Sequence, residues 1–264
     1  RVAVGHEEDA RPARKRVLGV LNDAVNAPPH VGGSLAAERV RRRVGGVVLP
    51  HVGVMRVGPQ LERSEKPLAE VVLQAVRGGA ACVQLREKNV STRFFVEEAS
   101  RIKALIAPYG VPLIINDRID VALAVEADGV HVGQEDMPYG IARRLMGPKA
   151  IIGLSVETWE DVEQAQGLDC DYLGVSPVFA TPTKTNTKEP WGLEGLAKIR
   201  AVSRHPLVGI GGLNAGNTEA VVMAGADGIA VVSAICAAPD PYAAARELDG
   251  IIRAALAQRG LHPN

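Results

Sequence analysis

Several apolar runs in this chain stop abruptly at residues that carry chemistry. Gln84-Leu85-Arg86-Glu87-Lys88 ends one with an amide and two cations. If the run is a strand, alternation places Gln84 and Arg86 on one side, with Lys88 just beyond the end. That set suits a polyanion such as a diphosphate, because guanidinium and ammonium groups give charge-assisted hydrogen bonds to phosphate oxygens. An ordinary surface charge pair competes evenly with this reading. Further on, Ile114-Ile115 drives straight into Asn116-Asp117, and His131-Val132-Gly133-Gln134-Glu135 leads to Asp136. Two carboxylates closing adjacent strands, with no thiol or imidazole pair beside them, favour Mg2+, which takes few protein carboxylates and fills its shell with substrate phosphates. Helix capping by an aspartate would account for one of them more easily than for both. His131 lies inside its strand and reads as a core or supporting residue. Ser155, closing Gly153-Leu154-Ser155, would bond a phosphate oxygen or cap a turn.

The second half carries a different signal. Ser176 to Lys188 is long, rich in hydroxyls and short of apolar anchors, and includes Thr181, Thr183 and Lys184. It reads as a mobile loop with Thr and Lys donors for phosphate, against the plainer alternative of disorder. Val208-Gly209-Ile210-Gly211-Gly212, followed by Asn214, and Ala230-Val231-Val232-Ser233 each end an apolar run. Glycine-rich turns there would offer bare backbone N–H groups to a phosphate.

The elements that must hold these residues follow from the spacing. β-rich runs recur at Cys82–Arg86, Leu113–Asn116, Gly129–Val132, Ile151–Ser155, Tyr172–Val175, Leu207–Ile210 and Gly228–Val232, with helical patterns between most of them. Thr92–Tyr109 places Phe95, Ala99, Ile102 and Ile106 at three- and four-residue intervals. Thr158–Gln166 opens with a capping threonine and acids, Pro67–Arg77 is a helix, and Pro241–Arg259 is a closing one. Repeated strand–helix units mean a parallel sheet. Ala127-Asp128-Gly129 and Ala226-Asp227-Gly228 place one string before two strands, the glycine being read as relief for a sharp reversal. The expected fold class is α/β, a (β/α)8 TIM barrel, with chemistry at the carboxyl ends of its strands. Its first strand must lie in Val47–Val57, where Pro50 and glycines thin the pattern. Residues 1–46 are Arg/Ala/Val/Gly-rich and read as an atypical, loosely ordered N-terminal extension; residues 47–264 form the catalytic barrel.

Composition narrows the class. The chain has 264 residues, 47% hydrophobic but only 3% aromatic, which suits β-branched strands buried on both faces under small-residue helices. Net charge is zero, which gives no case for nucleic acid or membrane as a partner. The Arg-rich start reads as a solvated charge run rather than a nucleic-acid arm. No apolar run approaches the roughly 18 residues of a membrane span, and no signal peptide is evident. Cys82, Cys170 and Cys236 lie far apart without metal-ligand spacing and read as reduced thiols of a cytoplasmic protein. A homo-oligomer is left open.

From residues alone the reading stops at a barrel enzyme with a Mg-diphosphate site on one side of its mouth, a monophosphate site on the other, and hence two small-molecule substrates. Taken together, Gln84–Lys88, Asn116-Asp117, Gly133–Asp136, Thr181–Lys184, Gly209–Gly212 and Gly225–Ser233, in this order, resemble the thiamine-phosphate synthase family. The resemblance runs from about Pro67 to Leu256; upstream, nothing matches the clear first strand and Thr-Asp-like turn with which the family opens. It implies a transferase of thiamine biosynthesis that joins hydroxymethylpyrimidine diphosphate to hydroxyethylthiazole phosphate, releasing diphosphate by a dissociative, Mg-assisted route. By resemblance, Gln84, Arg86, Lys88 and Asn116 hold the pyrimidine diphosphate, and Asp117 and Asp136 bind Mg2+. Ser155 and Lys184 complete that site, so that Arg86, Lys88, Ser155 and Lys184 are the catalytic set. Thr181, Thr183, Gly212, Val232 and Ser233 bind the thiazole phosphate. A thiazole tautomerase on the same barrel would not need the cations and both aspartates. A phosphate-binding isomerase or aldolase would want a base or Schiff-base lysine inside a strand, and none is evident. A non-catalytic regulator with a basic nucleic-acid arm would show in DNA or heparin retention lost on deleting residues 1–46.

Overall fold

The computed structural model describes residues 54–57, 66–181 and 189–261. Its strands are β1 (Val54–Val57), β2 (Cys82–Leu85), β3 (Leu113–Asn116), β4 (Gly129–Val132), β5 (Ile151–Val156), β6 (Tyr172–Val175), β7 (Leu207–Ile210) and β8 (Gly228–Val231). They form a closed parallel barrel in sequence order. Closure runs through β1, which pairs with β2 (Val54 opposite Cys82) and with β8 (Val54 opposite Ala230). The poorest strand of the sequence is therefore where the barrel shuts. The expected extension over 1–46, and the start of the 47–57 run, lie outside the described residues.

The helices are α1 (Leu68–Arg77), α2 (Thr92–Ile106), α3 (Ile119–Ala124), α4 (Tyr139–Met146), α5 (Trp159–Ala165), α6 (Gly192–Val202), α7 (Ala215–Met223), α8 (Ser233–Cys236) and α9 (Pro241–Gln258). In α2 the predicted face of Phe95, Ala99, Ile102 and Ile106 is the buried one. The helix ends before Tyr109 because Pro108 cannot donate, and the chain tightens into a 3-10 turn closed by left-handed Gly110. Thr158 caps α5 in a reciprocal pair with Asp161, as its sequence implies.

Two cores result. The larger lies between strands and helices, with Val71, Ile102, Val121, Leu173, Ile199 and Ile252 all fully buried. The smaller fills the barrel interior with Cys82, Ile114, Tyr172, Val208 and Ala230. Two-residue alternation then carries the same interior line upward: Cys82 to Gln84 to Arg86, Ile114 to Asn116, Ala230 to Val232. An apolar floor thus turns polar at the carboxyl-end mouth.

The Ala-Asp-Gly repeat has a structural job that differs from the expected one. Asp128 donates its backbone N–H to the Leu113 carbonyl while its carboxylate accepts the Leu113 N–H at 2.9 Å. Asp227 does the same to Leu207 and Asp171 to Ile152. Each aspartate clamps the first or second residue of the preceding strand, so β3–β4, β5–β6 and β7–β8 are pinned at their amino ends. The glycines do not relieve a left-handed reversal. The positive φ values fall earlier, at Glu126 and Gly225, and Gly129 is needed because a β-carbon there would lie 2.1 Å from the Ile151 carbonyl oxygen.

Candidate active site

At the mouth, β2 delivers Gln84 buried and Arg86 half-buried, with Lys88 exposed beyond the strand end. The Arg86 Nε is buried and has no hydrogen-bond partner among the described residues. A buried donor left unpaired costs about 1–3 kcal/mol, which an acceptor brought to that point would relieve. β3 ends in buried Asn116, and the next residue, Asp117, turns left-handed at φ 63°. That conformation swings its carboxylate to the Lys88 ammonium at 2.6 Å.

Asp136, in the loop after β4, meets Asp117 carboxyl to carboxyl. Its Oδ2 also accepts the Gly133 N–H at 2.7 Å. The pair splits in proton affinity. Burial raises Asp136, and the hydrogen bond and charge of Asp117 raise it further, above its ordinary 3.8. Burial pushes Asp117 the same way, but the hydrogen bond with Asp136, the Lys88 contact and the charges of Lys88 and Arg86 overcome it and hold it low. Two carboxyls this close disfavour both being charged, which is why their proton affinities separate. Neither carboxylate caps a helix: the residue before α3 is Arg118, which makes no side-chain cap, and Pro138 precedes α4. Among the described residues no third carboxylate, histidine or thiol joins them.

Ser155, half-buried near the end of β5, neither caps nor stands alone: its Oγ lies 2.8 Å from His131 Nε2. Gln134, not singled out from sequence, donates from Nε2 to the Ser155 carbonyl at 2.7 Å.

The opposite rim joins the loops after β6 and β7. Val178 donates to the Ile210 carbonyl and Phe179 to that of Gly211. Gly211 and Gly212 hold φ of 99° and 68°, and a β-carbon on Gly212 would lie 2.8 Å from that of Phe179. Glycine is required there by both conformation and space. Thr181 follows this packed stretch, half-buried. Val232 precedes α8, whose first bonds run from the Ile235 and Cys236 N–H groups to the Val232 carbonyl, leaving those of Ser233 and Ala234 ahead of the helical ladder. Asn214 has another role: it caps α7, accepting from Gly216 and paired with Asn217. Thr183 and Lys184 lie outside the described residues.

The structure therefore brings Arg86, Lys88, Asn116, Asp117 and Asp136 to one side and Thr181, Gly212, Val232 and Ser233 to the other. Comparison with known proteins bears directly on this arrangement. The profile of the family described as "Thiamine monophosphate synthase" matches residues 55–235. The chain belongs to the thiamine monophosphate synthase family. It is, with that family, an enzyme of the transferase class. A protein of Albidiferax ferrireducens named "Thiamine-phosphate synthase" is 54% identical over 224 residues, covering 85% of this chain and 99% of the relative. The solved structure of a thiamine phosphate pyrophosphorylase from Pyrococcus furiosus superposes with a TM-score of 0.70 at 39% identity, covering 79% of this chain and 98% of that one. An orotidine 5'-phosphate decarboxylase from Pyrococcus horikoshii, at 20% identity and TM-score 0.53 over 75% of this chain and 99% of its own, shares the fold alone. The family match begins inside β1, and the first strand expected within Val47–Val57 falls at Val54–Val57. No helix among the described residues is long and apolar enough to cross a membrane.

Proposed function

We propose that this chain makes thiamine phosphate by joining hydroxymethylpyrimidine diphosphate to hydroxyethylthiazole phosphate with release of diphosphate. The observation that carries the reading is the group of Arg86, Lys88, Asp117 and Asp136 at one side of the mouth, with the Arg86 Nε buried and unsatisfied. Such a group fits a diphosphate; the glycine-shaped rim of Gly211, Gly212 and α8 fits a single phosphate.

The chemistry asks for neither a nucleophilic side chain nor a strong base. The methylene–oxygen bond of the pyrimidine diphosphate breaks, its electron pair leaving with the diphosphate. The methylene carbon, cationic and stabilised by the ring amino group, is then taken by the lone pair of the thiazole nitrogen. Arg86 and Lys88 neutralise the charge that grows on the leaving group, and their value rises in a site closed to water. Gln84 and Asn116 orient the pyrimidine half, and Ser155 bonds a diphosphate oxygen. Thr181, Gly212, Val232 and Ser233 hold the thiazole phosphate so that its nitrogen faces the methylene. Thr183 and Lys184 complete the two sets by family position.

Asp117 and Asp136 fit Mg2+: two carboxylates close enough to perturb one another offer hard oxygen donors, and such an ion fills the rest of its shell with water and substrate oxygens. Bound there, Mg2+ would supply further neutralisation of the departing diphosphate. Lys88, in contact with Asp117, would then be shared between carboxylate and phosphate.

The test is a substrate matrix with Mg2+ present: the pyrimidine as alcohol, monophosphate or diphosphate, against the thiazole as alcohol or phosphate. Coupling confined to the diphosphate–phosphate pair is expected. Equal coupling from the pyrimidine monophosphate, or isomerisation of the thiazole with no pyrimidine present, would point to another activity on the same barrel.

A further inference from the structure

Four strands contribute to a buried hydrogen-bonded chain that crosses the barrel interior. Gln84 of β2 bonds the Tyr172 hydroxyl of β6. That hydroxyl lies 2.9 Å from Nδ1 of His131 on β4, and His131 Nε2 lies 2.8 Å from Oγ of Ser155 on β5. Tyr172 is 1% exposed, and Gln84 and His131 are each 4% exposed. The Tyr172 and His131 rings stack with centroids 5.4 Å apart. The space is shaped for this pair. A β-carbon on Gly153 would fall 2.4 Å from the Tyr172 hydroxyl and 2.5 Å from His131 Nδ1, and one on Gly174 would fall 2.8 Å from His131 Cε1. Glycine weakens a strand interior, and here two neighbouring strands carry one at the same ring.

Counting protons gives the chain a direction. Burial keeps the Tyr172 hydroxyl protonated, and with the Gln84 amide turned N–H first the phenolic oxygen is its acceptor. The one Tyr172 proton is then donated to His131 Nδ1. A ring nitrogen that accepts carries no hydrogen, so the imidazole proton is on Nε2 and is donated to Ser155 Oγ. The Ser155 lone pair is engaged and its own proton is left to donate.

We infer that Tyr172 and His131 are positioning residues that make the Ser155 hydroxyl a committed donor toward the mouth, set for an anionic oxygen. The same chain leaves the Gln84 carbonyl oxygen as acceptor at its other end, so the two ends of the network present opposite hydrogen-bonding character. A preset donor needs no reorientation when charge grows on the leaving group. The inference rests on the reading of this side of the mouth as the diphosphate site.

The test has two arms. In the first, proton–nitrogen correlation spectra of the full chain with labelled histidine report the His131 tautomer, its signals assigned by their loss in His131→Gln. Protonated Nε2 with bare Nδ1 is expected, and an Nδ1–H tautomer would overturn the inference. In the second, Tyr172→Phe is compared with and without Ser155→Ala. Tyr172→Phe should lower kcat/KM for the pyrimidine diphosphate by about 10-fold, the scale of one preset hydrogen bond. The KM for the thiazole phosphate should stay unchanged, and in the Ser155→Ala background the same substitution should change little, within about 2-fold. Equal losses in both backgrounds would show that Tyr172 acts through packing and would overturn the positioning role. A wild-type chain unable to couple the substrates would count against the proposed function, and the tautomer would still decide the network.

Discussion

Asp117 offers a substitution in which backbone and carboxylate can be separated. It is held at φ 63°, in the left-handed region. A residue with a β-carbon stands there at a cost of about 1–2 kcal/mol, and aspartate and asparagine lie at the low end because their side chains bond locally. Alanine has no such relief. Asp117→Asn and Asp117→Ala therefore remove the same charge but differ in backbone fit by roughly 0.5–1 kcal/mol. Both lose the Lys88 ion pair, which is worth about 0–1 kcal/mol with its lysine side chain 47% exposed. Both also free Asp136 from a crowding neighbour, which offsets part of that loss. For a domain of this size about 1 kcal/mol corresponds to roughly 2–4 °C in Tm. By calorimetry the alanine variant should melt about 1–4 °C below the asparagine variant, and the asparagine variant within about 2 °C of wild type. By diphosphate release, both should lose turnover alike, on the order of 100-fold or more, as for removal of a main electrostatic stabiliser. An asparagine variant within about 3-fold of the wild-type rate would refute the assignment of the carboxylate, since that leaves less than 1 kcal/mol for it to supply. A rate gap between the variants as wide as their stability gap would place the role of Asp117 in the turn instead.

Other outcomes follow from the same structure. Asp171→Ala should cost about 1–3 kcal/mol in chemical denaturation, because it strands the Ile152 N–H at 2.7 Å and removes the ion pair with Arg143 at 2.8 Å, whose guanidinium keeps its bonds to the Gly147 and Ala150 carbonyls. Asp128→Ala should cost less, since Asp128 is exposed and clamps Leu113 with no salt bridge to a cation among the described residues; equal losses would argue against the clamp as drawn. Gly212→Ala should raise the KM for the thiazole phosphate by about 10-fold or more while leaving that for the pyrimidine diphosphate near normal, since its new β-carbon would meet Phe179 at 2.8 Å; the reverse pattern would move the monophosphate site elsewhere. Burial holds the His205 imidazole below its ordinary 6.5, with Arg204 adding to the effect. The unfolded chain then takes up a proton first, so the stability contributed by neutral His205 is intact above about pH 6.5 and is lost as pH falls through the lower folded value. Melting curves from about pH 7 to about pH 5 should fall more steeply for wild type than for His205→Gln, and parallel curves would dismiss the linkage.

Much of the scaffold was legible because each strand after residue 81 is an apolar run bounded by turn residues, so β2 to β8 fall within a residue or so of the sequence reading. β1 was the hard case: a four-residue strand beside Pro50 and several glycines has no room to show a period, and only pairing with β2 and β8 defines it. The aspartate clamp was visible as a repeat in two copies, but its third, Asp171, sits in Cys170-Asp171-Tyr172 without the flanking glycine, and the contact it makes is with a residue 19 positions away. Asn214 looked like part of a phosphate cradle because caps and phosphate loops draw on the same residue types. The acids and cations of the mouth were legible singly, since polar residues at strand ends stand out. What joins His131 to Tyr172 was not, because that contact spans 41 residues and depends on glycines in β5 and β6. Its one trace was a lone tyrosine in an aliphatic run.

The account stands most directly on the stoichiometry of coupling. Purified chain, Mg2+, hydroxymethylpyrimidine diphosphate and hydroxyethylthiazole phosphate would be incubated together and the products separated by chromatography. Thiamine phosphate and diphosphate appearing together in equal amounts is the predicted result. A folded sample that forms neither, or that releases diphosphate at full rate without the thiazole phosphate being consumed, would contradict it.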